Sequence, residues 1–270
     1  MTAAGSGDTA FTGQVPELYE RVLVPMIFAE PARLLAAAVT ETHPKDVLET
    51  AAGTGALTRE LAQNQAANIV ATDLNAAMVE KAEAVGSAPN VGWEVANALD
   101  LPFPDSSFDA VACQFGAMFF PDKVAGYAEA LRVLRPGGLF AFNVWDRIET
   151  NMVAAVVTEA LAAAVGDSSL EFLRRTPHGY FDETAITSQL EAAGFTDVAV
   201  RHCDGTSRTT PRDGAVAYCQ GTPLRGEIEQ HPSLSLDEAT AIAQEALETR
   251  FGPDTFKAPT RWLQVTARRP

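Results

Sequence analysis

The chain is short of the residues that build covalent staples, metal centres and cationic surfaces. It has 3 cysteines in 270 residues, an odd number without a CxxC pair, so Cys113, Cys203 and Cys219 read as reduced thiols rather than a disulfide framework. Its 4 histidines are scattered, and no paired carboxylates stand at ligand spacing, so no metal site is expected. Lys and Arg number 20 against 35 Asp and Glu, a formal charge of −15. That balance repels phosphate backbones and anionic membranes and argues against nucleic-acid or membrane partners. It is also an ordinary means of staying dissolved, so no cationic substrate follows from it. The longest apolar stretch is interrupted by Thr158 and Glu159 before it reaches bilayer length. The N-terminus lacks a basic stretch followed by an apolar run, which leaves the cytoplasm as the expected location.

Two nucleotide motifs are missing as well. Gly53 and Gly55 begin a GxGxxG pattern, but the third glycine position is Thr58, which would crowd a pyrophosphate-binding helix start and weakens a dinucleotide reading. No Lys follows Gly55, so a phosphate-cradling loop is unsupported. What is present, from Asp46 to Asp73, is a strand, a glycine turn, a helix and a second strand ending in an acid. Glycines suit a tight turn that a ligand must approach closely. A carboxylate at the end of the second strand can accept both vicinal hydroxyls of a ribose. The combination predicts a nucleoside pocket whose ligand carries no phosphates.

Five ordered blocks then carry a resemblance. They are Glu49-Thr50-Ala51-Ala52-Gly53-Thr54-Gly55, Ala71-Thr72-Asp73-Leu74-Asn75, Ala96-Asn97-Ala98-Leu99-Asp100-Leu101-Pro102-Phe103, Ser107 to Gln114 with Phe119-Phe120-Pro121-Asp122, and Leu131 to Gly138. The chain resembles the class I S-adenosylmethionine-dependent methyltransferases, and is similar to the small-molecule group of ubiquinone and menaquinone biosynthesis methyltransferases. The resemblance implies S-adenosyl-L-methionine as cofactor, held by Tyr19, Glu49, Ala51, Gly53, Gly55, Asp73, Leu74, Met78, Asn97, Ala98 and Gln114. Two positions depart from the commonest pattern. Ala51 replaces a glycine near the methionyl tail, and Asn97 replaces the acid that accepts the adenine amino proton, although its carbonyl still accepts and its NH2 can donate.

The resemblance also implies an α/β fold: a Rossmann-like, seven-stranded, mostly parallel sheet of order 3-2-1-4-5-7-6 with the last strand antiparallel, helices on both faces and a helical cap. The pattern itself reads as one domain over 1–270. Residues 1–14 are small and polar. Pro25 and Pro31 divide the helical periodicity between Pro16 and Val39 into two short helices. Strands are expected at 46–50, 68–72, 91–95, 108–114, 139–145, 198–202 and 262–267. Asp182 is a candidate N-cap with Gly194 closing its helix, and Ser235 with Glu238 form a candidate capping box.

Substrates of open α/β sheets bind beyond the carboxyl ends of the strands. The N-terminal helices within 1–41 and the insertions 146–180 and 212–258 are therefore expected to form a substrate cap. Phe11, Tyr19, Met26, Phe28, Met118, Phe119, Trp145, Met152, His178 and Tyr180 are available to line it, or to pack it. His178 is the one catalytic candidate, a base for a phenol or enol acceptor, against the alternative of a locally bonded loop residue. Glu49 either meets the cofactor's amino group or a water, or caps the loop. The expected reaction is methyl transfer to O or C of a small organic molecule by in-line displacement, driven by proximity and desolvation. The alternatives are a fold that keeps the cofactor structurally for a cyclisation or elimination, or a noncatalytic partner subunit. Oligomeric state is not legible.

Overall fold

The computed structural model describes residues 8, 9, 11, 13–63, 65, 67–86, 88–167 and 169–270; the rest of the 1–14 segment lies outside the described residues. The chain enters through a helix, α1 (Val15–Thr40), 26 residues long. Its middle, Tyr19–Phe28, is π-wound, with the Ala29 N–H donating to the Val24 carbonyl. The expected break at the prolines does not occur. A π turn reaches five residues back, so the missing N–H of Pro25 is absorbed within it, and Pro31 falls in the first turn of the α-wound continuation Ala29–Thr40. The result is one helix in place of two, and a longer apolar segment than 152–165. By length and composition it would cross a membrane, yet half of its apolar window is buried inside the protein.

Seven strands follow: β1 (Asp46–Glu49), β2 (Asn68–Asp73), β3 (Val91–Val95), β4 (Phe108–Gln114), β5 (Leu134–Trp145), β6 (Thr196–Thr209) and β7 (Phe256–Arg268). They lie in the order β3-β2-β1-β4-β5-β7-β6. β1 to β5 pair in parallel, and β7 runs antiparallel between β5 and β6, as expected. Short crossover helices, α2 (Ala56–Leu61), α3 (Ala76–Val85) and α4 (Lys123–Val133), link the parallel strands. On one face Ala110, Ala112 and Ala141 are fully buried under Ala32, Leu35 and Val39 of α1. Their small side chains let the helix approach the sheet closely. The opposite face carries the larger core, including Tyr127, Phe140 and Phe142.

The second half holds α5 (Met152–Val165), α6 (Phe172–Arg175), α7 (Glu183–Ala192), α8 (Pro211–Gln220), α9 (Leu224–Gln230) and α10 (Leu236–Phe251). Asp182 caps α7 by accepting from the Thr184 and Ala185 amides, and Ser235 with Glu238 closes a capping box at α10. Three strands are longer than their periodicity suggests. β6 and β7 pair from Thr196↔Arg268 to Thr209↔Phe256, whereas β5 contacts β7 only as far as Trp145↔Trp262. The two strands thus continue past the sheet as a ribbon whose polar residues hide it from an apolar pattern. β5 starts at Leu134, before the expected Leu139, because Leu134 pairs with Phe108 ahead of a register shift.

Candidate active site

The loop between β1 and α2 is held in an unusual backbone path. Ala51, Gly53 and Gly55 take left-handed φ values of 53°, 58° and 85°. Every other residue therefore lies where an L side chain is penalised. The loop is anchored from both sides. The Thr50 amide donates to the Ala112 carbonyl at 2.9 Å and the Ala52 amide to the Thr72 carbonyl at 2.9 Å. Glu20 of α1 accepts from Thr54 Oγ1 at 2.6 Å and from Arg59 at 2.8 Å.

Asp73 ends β2 with its carboxylate aimed back at this loop. Its Oδ2 accepts from the Gly53 amide at 2.8 Å, and its Oδ1 accepts from the Asn75 amide at 2.8 Å. Oδ1 also accepts from Asn75 Nδ2 at 3.3 Å, while Oδ2 keeps a further lone pair. Burial raises the Asp73 pKa, while these backbone donors oppose the rise. Glu49, fully buried at the end of β1, receives the Thr58 hydroxyl on Oε2 at 2.6 Å. Its Oε1 has no partner among the described residues, and burial pushes its pKa up to about 8. Thr58, the residue that displaces the third glycine of a dinucleotide loop, is thus the hydrogen-bond donor to this buried acid.

Beyond the strand ends lies a first chamber, about 770 Å³ including its open mouth. Nine of the eleven residues expected to hold the cofactor line it: Tyr19, Ala51, Gly53, Asp73, Leu74, Met78, Asn97, Ala98 and Gln114. Leu74 stands 54% exposed at the mouth. The Asn97 carbonyl accepts from the Leu99 amide at 3.0 Å, which leaves its NH2 and one lone pair for a ligand. Gln114 donates to the Phe28 carbonyl at 3.1 Å, and its own Oε1 is buried without a partner among the described residues. Glu49 and Gly55 are not on the chamber wall. A Cβ at Gly55 would come within 2.7 Å of the Trp93 ring, so this glycine answers a conformational and packing demand. Asn75, Phe115 and Gly116 also line the chamber and were missed. Their place just past the ends of β2 and β4 was the available signal.

A second chamber, about 580 Å³, adjoins the first. Phe11, Tyr19, Phe115 and Phe119 line both. Phe115 is held at φ 54° and stacks face to face on Trp145, centroids 3.9 Å apart. Left-handed backbone at a large aromatic is costly, and such strain concentrates at functional sites. Of the aromatics and methionines expected to line a cap, Phe11, Tyr19, Phe28, Phe119, Trp145 and His178 reach the chambers. Met26, Met118, Met152 and Tyr180 do not. Tyr180, for example, is buried with its hydroxyl bonded to Tyr127 and Gln189. The three segments 1–41, 146–180 and 212–258 each contribute to the wall, through Leu23, Phe172 and Tyr218 among others.

His178 is buried and lines the second chamber. Its Nδ1 lies 2.8 Å from the Asp146 carbonyl. A carbonyl only accepts, so Nδ1 carries the proton and Nε2 the lone pair. Burial pushes the imidazole pKa down to about 4. The first described residues are fastened across the same region. Asp8 accepts from Arg175 at 2.6 Å and from Thr176 Oγ1 at 2.5 Å, while Arg175 also donates to Glu227 at 2.9 Å. Thr9 and Phe11, next along, cover the first chamber. Among the described residues no group of three or more His, Cys, Asp or Glu is placed to hold a metal ion.

Known proteins share this arrangement. The family described as a methyltransferase domain matches residues 48–142. A demethylmenaquinone methyltransferase of Mycolicibacterium vanbaalenii is 34% identical over 175 residues, which cover 61% of this chain and 75% of that protein. The chain belongs to the class I S-adenosylmethionine-dependent methyltransferases. It is an enzyme whose cofactor is S-adenosyl-L-methionine, similar to the ubiquinone and menaquinone biosynthesis methyltransferases. The fold is shared with a phosphoethanolamine methyltransferase of Haemonchus contortus solved with S-adenosylhomocysteine, at 17% identity, TM-score 0.60, covering 97% of this chain and 59% of that one. It is shared equally with the cyclase SpnF, at 20% identity, TM-score 0.59, covering 99% and 98%.

Proposed function

We propose that this methyltransferase acts at oxygen or carbon of a small, largely apolar organic molecule, with the cofactor in the first chamber and the acceptor in the second. The observation that carries the reading is the junction. Two adjoining chambers, one with the ribose acid and the other walled by aromatics and a single histidine, share Phe11, Tyr19, Phe115 and Phe119. The relative named for demethylmenaquinone supports an oxygenated aromatic ring as acceptor, and the segments 1–41, 146–180 and 212–258 act as its cap.

In this reading Asp73 accepts the ribose hydroxyls, Asn97, Ala98, Leu74 and Met78 surround the adenine, and Ala51, Gly53 and Gln114 face the methionyl tail. Tyr19 closes the sulfur end. Glu49 Oε1, buried and without a partner among the described residues, lies behind the chamber wall and fits a donor that reaches it from the cofactor's amino group through a water. Gly55 sets the path of the loop. Bound S-adenosylmethionine would supply an activated methyl: transfer would form the acceptor–methyl bond, break the methyl–sulfur bond with its pair going to sulfur, and pass the acceptor's proton by way of His178 Nε2 to solvent. The aromatic walls exclude water and hold the acceptor in line, which in favourable cases contributes ~7 kcal/mol or more. His178, neutral across the ordinary pH range, receives the acceptor's hydroxyl proton in a hydrogen bond at Nε2 and directs the electron pair toward the methyl.

The experiment is a transfer assay with methyl-labelled S-adenosylmethionine against hydroxylated aromatics. Label in the product supports the reading. Turnover of an acceptor without label movement would instead favour a cofactor held structurally for a cyclisation or elimination. An inert chain, active only when bound to a paralogue, would leave the partner-subunit reading.

A further inference from the structure

A π-wound helix closes each turn over one residue more than an α-helix. The segment Tyr19–Phe28, 10 residues long, therefore spends about two residues more on its two turns than an α-helix would. The surplus shows in its side chains. Tyr19 and Phe28 stand nine positions apart, about two and a half turns of α-helix, which would put them on opposite sides. In the π segment they are stacked instead, ring centroids 4.9 Å apart and 19° from parallel. Leu23 and Ile27 share their side, and all four line the second chamber.

Both ends of the segment are pinned. A Cβ built on Gly53 would lie 3.7 Å from Tyr19 Cε1, and the adjacent Glu20 holds Thr54 and Arg59. At the far end the Phe28 carbonyl accepts from Gln114, and the Phe28 ring lies 5.5 Å from that of Phe115 and 5.9 Å from that of Trp145. An α-wound form of the same residues would be longer and would turn Phe28 away from Tyr19, so it could not keep both attachments. Pro25 bears on the choice. Its missing N–H costs either winding one bond, but the clash of its ring with the carbonyl four residues back, that of Arg21, belongs to the α form. Pro25 itself is exposed and lines neither chamber.

We propose that Pro25 is a positioning residue: from the surface it holds α1 in the π winding that sets the Tyr19–Phe28 pair at the junction of the chambers, and so governs binding at a site it does not touch. This rests on the first chamber, which Tyr19 also lines, being the cofactor's.

The test is calorimetry with S-adenosylhomocysteine on four chains: the wild type, Asp73→Asn, Pro25→Ala, and one lacking both Val24 and Pro25. Replacing the proline frees the α winding, and apparent affinity falls with the fraction of molecules left in the binding form. Pro25→Ala should bind about 10-fold more weakly, with its ligand-free melting temperature unchanged or raised, because alanine is the better helix former. Weaker binding by an equally stable protein is not what a packing defect produces. Removing two residues leaves Tyr19 and Phe28 seven positions apart, on one side of an α-helix, so the shortened chain should fold and recover affinity to within about 3-fold of the wild type. Wild-type affinity in Pro25→Ala, a loss that only follows its melting temperature, or a shortened chain that fails to fold or to bind each overturns the proposal. Binding weakened by Asp73→Asn and untouched by Pro25→Ala removes the proposal alone, whereas equal binding by the wild type and Asp73→Asn removes the cofactor-chamber reading and the proposal with it.

Discussion

Ala51 and Gly116 share one space: a Cβ built on Gly116 would lie 2.4 Å from the Cβ of Ala51. The Ala51 methyl is accommodated because the residue after Phe115 has no side chain. Gly116→Ala should destabilise the protein by about 1–3 kcal/mol through overpacking. Ala51→Gly relieves a left-handed alanine worth roughly 1–2 kcal/mol, partly offset by the ~0.5–1 kcal/mol entropy of glycine. The double variant should recover at least ~1 kcal/mol of the Gly116→Ala loss. Recovery stays incomplete, because Cys113 Sγ would also stand 2.8 Å from the added Cβ. Urea denaturation of the four proteins checks this.

Gly55→Ala should cost stability without costing cofactor. Its φ of 85° and the Trp93 ring at 2.7 Å predict a loss of about 1–3 kcal/mol. The folded fraction should bind S-adenosylhomocysteine within about 3-fold of wild type, because Gly55 is absent from the chamber wall. Calorimetry well below the variant's melting temperature separates the two effects.

Asp73→Asn should show the reverse emphasis. Hydrogen bonds to a charged acceptor are worth about 1.5–3 kcal/mol, so S-adenosylhomocysteine affinity should fall about 10- to 150-fold. A smaller loss of melting temperature should accompany it, since the new NH2 must face either the Gly53 or the Asn75 amide, both of which donate to Asp73.

Two buried groups give the pH profile opposite limbs. His178 has a folded pKa of about 4 against 6.5 for the free side chain, so the unfolded chain binds more protons between these values. Stability should fall as pH drops from 6.5 toward 4. Glu49 has a folded pKa of about 8 against 4.5, so the folded chain binds the extra proton and stability should fall as pH rises from 4.5 toward 8. His178→Gln should flatten the acid limb and Glu49→Gln the alkaline one. Urea midpoints measured across that range test each separately.

Cofactor and proton should exchange at Glu49. A positively charged amino group reaching Oε1 through a water favours the carboxylate, so binding of S-adenosylhomocysteine near pH 7 should release up to one proton from wild type and none from Glu49→Gln. Calorimetry in two buffers of different ionisation enthalpy reads the difference.

The strands of the parallel half and most residues of the first chamber were legible because they rest on local sequence, a glycine turn, an acid at a strand end and apolar runs of strand length, whereas the sheet order came with the family resemblance. α1 was not, since proline reads as a breaker until the π turn that absorbs it is seen. The β6–β7 ribbon was hidden by its own polar residues, whose pairing depends on a partner some sixty positions away, as in Asp204↔Arg261. Phe115 gave no signal because its importance lies in a backbone angle and a stack on Trp145. Glu49 was recognised without its partner. Thr58, used only to argue against a dinucleotide, proved to be the group that holds it.

The clasp of Asp8 on Arg175 and Thr176 reaches beyond its own contacts. Phe11, three residues beyond Asp8, lines both chambers, so the ion pair of buried Asp8 with partly buried Arg175 ties one anchor of the chain to the walls of both at once, and whatever loosens Asp8 bears on the two chambers together.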